Sequence, residues 1–119
     1  MHEPQLILVV DDNTAFRAIM KDMLADSNAR FVECTDGSAA LALYKQHHPT
    51  WVLIDIRMQP MDGITATRKI KEAFPEARII IVTNYHDSQL RDDALHAGAA
   101  AFVMKDDLSP LLTMITEYT

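Results

Sequence analysis

Three acids, a hydroxyl and an ammonium each stand directly after a short apolar run of this 119-residue chain. Asp11-Asp12 follows residues 6–10, Asp55 follows 51–54, Thr83 follows 79–82 and Lys105 follows 101–104. Taken singly, each has an ordinary structural reading. An acid after a strand commonly caps a helix or shapes a turn, threonine is a β-branched strand end, and lysine is a solvated charge. Together they suggest chemistry. Carboxylates brought close repel one another, a cost that a cation or a reacting group must compensate. The natural compensation is a hard divalent ion such as magnesium, which prefers oxygen ligands and typically joins one or two carboxylates to a phosphate. Phosphoryl transfer then needs an oxygen nucleophile in line, cationic cover for the equatorial oxygens and a hydrogen-bond donor beside them. Asp55, the metal with Lys105, and Thr83 supply one of each.

The elements that must position these residues are read from apolar spacing. Strands are expected at 6–10, 31–34, 51–54, 79–82 and 101–104, each a short and mostly apolar run, the second the weakest. Between them the period changes to that of a helix. Phe16, Met20, Met23 and Leu24 fall on one face, with Asn13 or Thr14 as cap. Ala40, Leu41, Leu43 and Tyr44 supply a second helix behind Thr35, Asp36 and Ser38, with Pro49 after its end. A third helix over 64–74 follows the turn pair Asp62-Gly63 and stops at Pro75. A fourth, over 89–97, is closed by Gly98, and a fifth runs from Ser109-Pro110 toward Tyr118. Strands that are apolar on consecutive residues are covered on both faces, which predicts a doubly wound parallel α/β sheet. In such sheets ligands bind beyond the carboxyl ends of the strands, where the five reactive residues collect.

Composition sets bounds on function. The hydrophobic share of 49% and the length suit one compact domain, residues 1–119. Seventeen Asp+Glu against eleven Lys+Arg give a net charge of −6, which repels phosphate backbones and argues against direct nucleic-acid binding. No apolar run approaches the roughly 20 residues of a membrane helix. Cys34 is the single cysteine, so no internal disulfide forms, and a reducing, cytoplasmic setting is expected. Cys34 is read as a buried core residue, Trp51 as a packing residue, and Met20 and Met23 as part of a core stripe. The histidines at 2, 47, 48, 86 and 96 have no spacing suited to zinc.

In these motifs the chain resembles the receiver domain of two-component response regulators. The match rests on Asp11-Asp12, on Asp55-Ile56-Arg57-Met58 followed by Met61-Asp62-Gly63, on Thr83, and on Lys105 after Phe102-Val103-Met104. The resemblance implies a flavodoxin-like sheet of order 2-1-3-4-5 flanked by five helices. By it, Asp55 accepts a phosphoryl group from a histidine kinase or histidine phosphotransfer protein. Asp12 and Asp55 bind Mg2+ together with the main-chain carbonyl of Arg57, while Asp11 acts through water. Lys105 pairs with the phosphoryl oxygens and Thr83 turns to bond one of them. Phe102 is then the switch aromatic, whose movement reshapes the surface of the fourth helix, fifth strand and fifth helix. That surface controls an output domain or protein partner, and a homodimer through it is expected by analogy. Assisted self-phosphorylation and self-dephosphorylation are implied as well.

Some positions depart from the usual pattern. Gln59 follows Met58, and Pro60 comes one position late; Asn84 stands beside Thr83 where a small residue is usual; Phe102 replaces a frequent tyrosine. Arg57, Asn84 and Tyr85 are placed to tune phosphoryl lifetime. The stretch 102–112 is similar to receivers that precede a helix-turn-helix DNA-binding domain, so both a single-domain regulator and the front of a transcription regulator stay open. Three rivals are weaker. A flavin carrier needs a phosphate loop where Asp11-Asp12-Asn13 would repel it; an aspartyl-phosphate hydrolase needs an acid where Asn13 stands; an adaptor without phosphorylation has no need of the full set.

Overall fold

The three central strands bury both of their faces along most of their length, and that fixes the layering. A computed structural model of the chain describes residues 4–118, so His2 and Thr119 lie outside the described residues. Strands β1 (Gln5–Val10), β2 (Ala29–Cys34), β3 (Trp51–Ile54), β4 (Ile79–Thr83) and β5 (Ala101–Met104) alternate with helices α1 (Thr14–Met23), α2 (Gly37–His47), α3 (Gly63–Ala73), α4 (Ser88–His96) and α5 (Ser109–Glu117). All neighbouring pairs are parallel, in the order β2-β1-β3-β4-β5. This is the doubly wound, flavodoxin-like sheet that the residue pattern and the resemblance predict.

Alternate residues divide between two cores. Leu8, Val10, Val52, Ile54, Ile79 and Ile81 pack with residues of α2, α3 and α4. Ile7, Val9, Trp51, Leu53, Ile80 and Val82 pack with residues of α1 and α5. Trp51 packs, as expected, edge-on to Tyr118 with ring centres 5.5 Å apart.

Acidic and amide caps start four of the five helices. Asn13, Asp36, Asp62 and Asp87 each accept from backbone N–H groups of the first turn, and α5 begins with Pro110 instead. Such caps fix where each helix begins and therefore the length of each loop at the carboxyl edge of the sheet. Gly63 is required for a different reason: a Cβ there would lie 1.9 Å from the carbonyl oxygen of Asp55. Its N–H donates to Ile56 O at 2.8 Å, which folds the loop after Asp55 tightly back on itself. The Gln59–Pro60 peptide within that loop is cis.

Three expectations need adjustment. Strands β1, β2 and β4 extend beyond 6–10, 31–34 and 79–82, so Thr83 is the last residue of β4 and pairs with Met104. A 3-10 turn at Ala25–Ser27 falls between α1 and β2, where no apolar periodicity marks an element. Cys34 is half-buried rather than buried, because β2 is an edge strand with alternating exposure. Desolvation still pushes its thiol up to about 11.

Candidate functional site

Backbone pairing runs one residue past the strand ends and sets the site. Asp55 N–H donates to Val10 O at 3.0 Å, Asp11 N–H to Cys34 O at 3.1 Å and Lys105 N–H to Thr83 O at 2.8 Å. Alternation therefore continues into these residues. Asp11, Asp55 and Lys105 share the parity of the core under α1 and α5, whereas Thr83 and Phe102 share that of the opposite core.

The side chains meet accordingly. Lys105 Nζ lies 2.8 Å from Asp11 Oδ2 and 3.2 Å from Asp55 Oδ2, with only 9% of its side chain exposed. It also sits 4.4 Å from the centre of the Phe16 ring on α1. Burial alone would lower the ammonium's pKa, but the Asp11 and Asp55 carboxylates outweigh it and hold the pKa above its ordinary value. Asp55 Oδ1 accepts from Ile56 N–H at 2.7 Å, and Asp11 Oδ1 accepts from Asn13 N–H at 2.8 Å. Asp12 is exposed at the rim. A pocket of about 330 Å³ opens beside it, lined also by Ile56, Arg57, Met58, Gln59 and Asp62.

The acids fit a hard cation. One carboxylate oxygen from each of Asp11, Asp12 and Asp55 comes within 4.8 Å of the others, the one such cluster of three ligating side chains among the described residues. Asp11 Oδ2 is buried without an aligned hydrogen bond, Lys105 contacting it as an ion pair. An all-oxygen set of three carboxylates this close together suits Mg2+ and does not suit a soft metal.

Thr83 is fully buried, and its Oγ1 accepts a long bond from Tyr85 N–H at 3.4 Å. Phe102 is half-buried against the core and lines a pocket of about 220 Å³ with Met104, with His86 and Asp87 of the preceding loop, and with Ser88 and Arg91 in the first turn of α4. Across β4 and β5 the pairs Ile81↔Phe102 and Thr83↔Met104 make Thr83 and Phe102 diagonal neighbours of equal parity. Asn84 is exposed at the start of the β4–α4 loop. Arg57 and Tyr85 are exposed too, and they are stacked, with the guanidinium 4.2 Å from the ring centre.

The site also uses residues that sequence reasoning passed over, Arg17 and Glu33. Arg17 donates to Asp11 O at 2.6 Å and to Glu33 Oε1 at 3.0 Å. Lys21 contacts the second Glu33 oxygen at 2.9 Å, and these hydrogen bonds and charges hold the Glu33 carboxyl below its usual pKa. The available signal was Arg17 and Lys21 four apart on one helix face, beside an acid on the next strand.

The response regulator receiver domain model matches residues 7–116. The chain belongs to that family. Over 100 residues it is 40% identical to the chemotaxis protein CheY of Bacillus subtilis, covering 83% of each chain. It is 35% identical to the transcriptional regulatory protein YhcZ of Bacillus subtilis, covering 84% of this chain and 48% of that one. Among solved structures, CheY of Borrelia burgdorferi in a complex with CheX, BeF3 and Mg2+ superposes with a TM-score of 0.87. That pair is 30% identical, and the match covers 95% of this chain and 87% of the other. A receiver domain is a phosphoacceptor regulatory domain of two-component signalling, and this chain carries its fold and an acidic pocket of the kind the family uses for Mg2+. Among the described residues no helix is long and apolar enough to cross a membrane.

Proposed function

We propose that this receiver domain takes a phosphoryl group on Asp55 from a histidine kinase or histidine phosphotransfer protein. The observation that carries this is the meeting of Asp55, buried at the end of a central strand, with Lys105 at 3.2 Å and with two further acids. Asp55 Oδ2 is the attacking oxygen, and as its bond to phosphorus forms the P–N bond of the donor's phosphohistidine breaks, leaving the donor histidine unphosphorylated. Lys105 is released from Asp55 as that oxygen becomes the bridging atom, and the ammonium then covers the new phosphoryl charge. Asp11, Asp12 and Asp55 with the main-chain carbonyl of Arg57 would hold Mg2+, which when bound neutralises charge on the transferred group. Thr83 gives up its long bond from Tyr85 N–H and its hydroxyl donates a hydrogen bond to a phosphoryl oxygen.

That movement vacates space on the face where Phe102 lies, so the ring turns inward and changes the surface of α4, β5 and α5. The surface then controls an output domain or a protein partner. The chain is similar to both a chemotaxis protein and a transcriptional regulatory protein, so a protein partner and an output domain each fit this reading.

Intact mass after incubation with acetyl phosphate tests the reading. A gain of one phosphoryl group that needs both Mg2+ and Asp55 is expected. Equal labelling of Asp55→Asn would move the acceptor elsewhere, and absence of any gain would favour an adaptor that works without phosphorylation.

A further inference from the structure

We infer that Arg17 is a positioning residue for the cation-facing acids and that Glu33 holds it in that role, an inference that rests on Asp11, Asp12 and Asp55 forming a Mg2+ site. The bonds form a closed circuit. Glu33 Oε1 accepts from Arg17 Nε at 3.0 Å, and Arg17 Nη1 donates to Asp11 O at 2.6 Å. Asp11 N–H in turn donates to the carbonyl of Cys34, the residue next to Glu33 on β2, at 3.1 Å. A further donation from Arg17 Nη2 to Thr14 Oγ1 at 3.3 Å fixes the guanidinium plane against the first turn of α1. Only 13% of the Arg17 side chain is exposed, so the fork is held in place and is not a waving surface charge.

The choice of oxygen is what makes this arrangement useful. Arg17 bonds the main-chain carbonyl of Asp11 and leaves the carboxylates alone. Lys105 already occupies one oxygen each of Asp11 and Asp55. A second cation falling on those carboxylates would compete with Mg2+. Glu33 prevents that by holding Nε on the β2 side, while Lys21 on its other oxygen keeps Glu33 ionised and oriented. The turn that carries Asp11 and Asp12 is thereby tied to α1 and β2 against the mutual repulsion of the acids.

This assignment predicts a sign that simple electrostatics reverses. Deleting a positive charge near a cation site should tighten Mg2+ binding by Coulomb's law, whereas losing a positioning residue should weaken it. The experiment is calorimetric titration of Mg2+ into the unphosphorylated chain and its Arg17→Met, Arg17→Lys and Glu33→Gln variants, each first shown to be folded by a thermal melt in EDTA. Affinity should fall by roughly tenfold in Arg17→Met and in Arg17→Lys, which keeps the charge but loses the fork. Glu33→Gln should lose less, and should lose nothing further when added to Arg17→Met. Unchanged or tighter binding in Arg17→Met overturns the inference. Should that variant not fold, Glu33→Gln, at an exposed position, decides alone, and unchanged affinity there overturns it. No saturable uptake by the parent chain sinks the Mg2+ reading and this inference with it; uptake by the parent with unchanged variants sinks this inference only.

Discussion

The Arg57 guanidinium lies 4.2 Å above the centre of the Tyr85 ring, joining the loop after Asp55 to the loop after Thr83. Each residue stands two positions beyond a proposed reacting group, and Tyr85 N–H also donates to the Thr83 hydroxyl. The stack therefore spans the approach to the proposed phosphorylation site. It would tie the proposed movement of Thr83 to the position of Arg57.

Breaking the stack should hasten loss of the phosphoryl group by admitting water. Arg57→Ala and Tyr85→Ala are each expected to raise the hydrolysis rate by about two- to fivefold, matching roughly 0.5–1 kcal/mol for an exposed cation–π pair. The double variant should be no faster than either single one. Intact mass followed after removal of the donor measures all three rates, and additive effects would show that the two residues act separately.

Lys105→Ala leaves Asp11 and Asp55 facing each other without the ammonium that now contacts both. In EDTA this should cost about 3 kcal/mol in urea unfolding, and Mg2+ should restore more stability to the variant than to the parent. The folded lysine's pKa is raised, so its contribution is complete below the unfolded value of about 10.4 and is lost as pH rises through the folded one. The stability gap between parent and variant should hence be level between about pH 7 and 9 and close only above the lysine range. A gap that closes below about pH 9 would contradict the pairing.

Gly63→Ala places a methyl carbon where the Asp55 carbonyl oxygen already sits, 1.9 Å from an ideal Cβ. The backbone must shift, at a cost of about 3 kcal/mol. Urea unfolding measures it, and acetyl phosphate labelling of Asp55 should slow in parallel. An unchanged unfolding midpoint would mean that the loop moves freely and does not hold Asp55.

Cys34 should be a sluggish nucleophile despite its partial exposure. Desolvation raises its thiol from 9.0 to about 11, so at mildly alkaline pH it has about a hundredfold less thiolate than an unperturbed thiol. Iodoacetamide labelling should be slower in that proportion and accelerate up to about pH 11. Labelling at the rate of a free thiol would place Cys34 outside the half-buried edge of β2.

Much of this molecule is written locally. Consecutive apolar residues at 51–54 and 79–82 mark strands covered on both sides, and caps such as Asn13 and Asp36 mark helix starts, because both signals depend on near neighbours. The fold then carries Asp11, Asp12, Asp55, Thr83 and Lys105 to one edge, since parallel strands joined by helices present their carboxyl ends together. The element order and the five residues at the strand ends were thus determined by sequence alone.

Contacts between loops and across elements were decided only in three dimensions. Arg57 and Tyr85 read as two exposed loop residues until the β3–α3 and β4–α4 loops are set side by side. The bond from Arg17 to Asp11 and Glu33 depends on the angle at which α1 crosses back over β1 and β2. Lys105 rests on Phe16 because β5 and α1 flank the same core, although 89 positions separate them in the chain. Periodicity and capping record what a residue's neighbours along the chain require. They carry no term for partners that meet only after the two cores have packed, and those partners decide how the shared strand-end residues are held in this particular receiver domain.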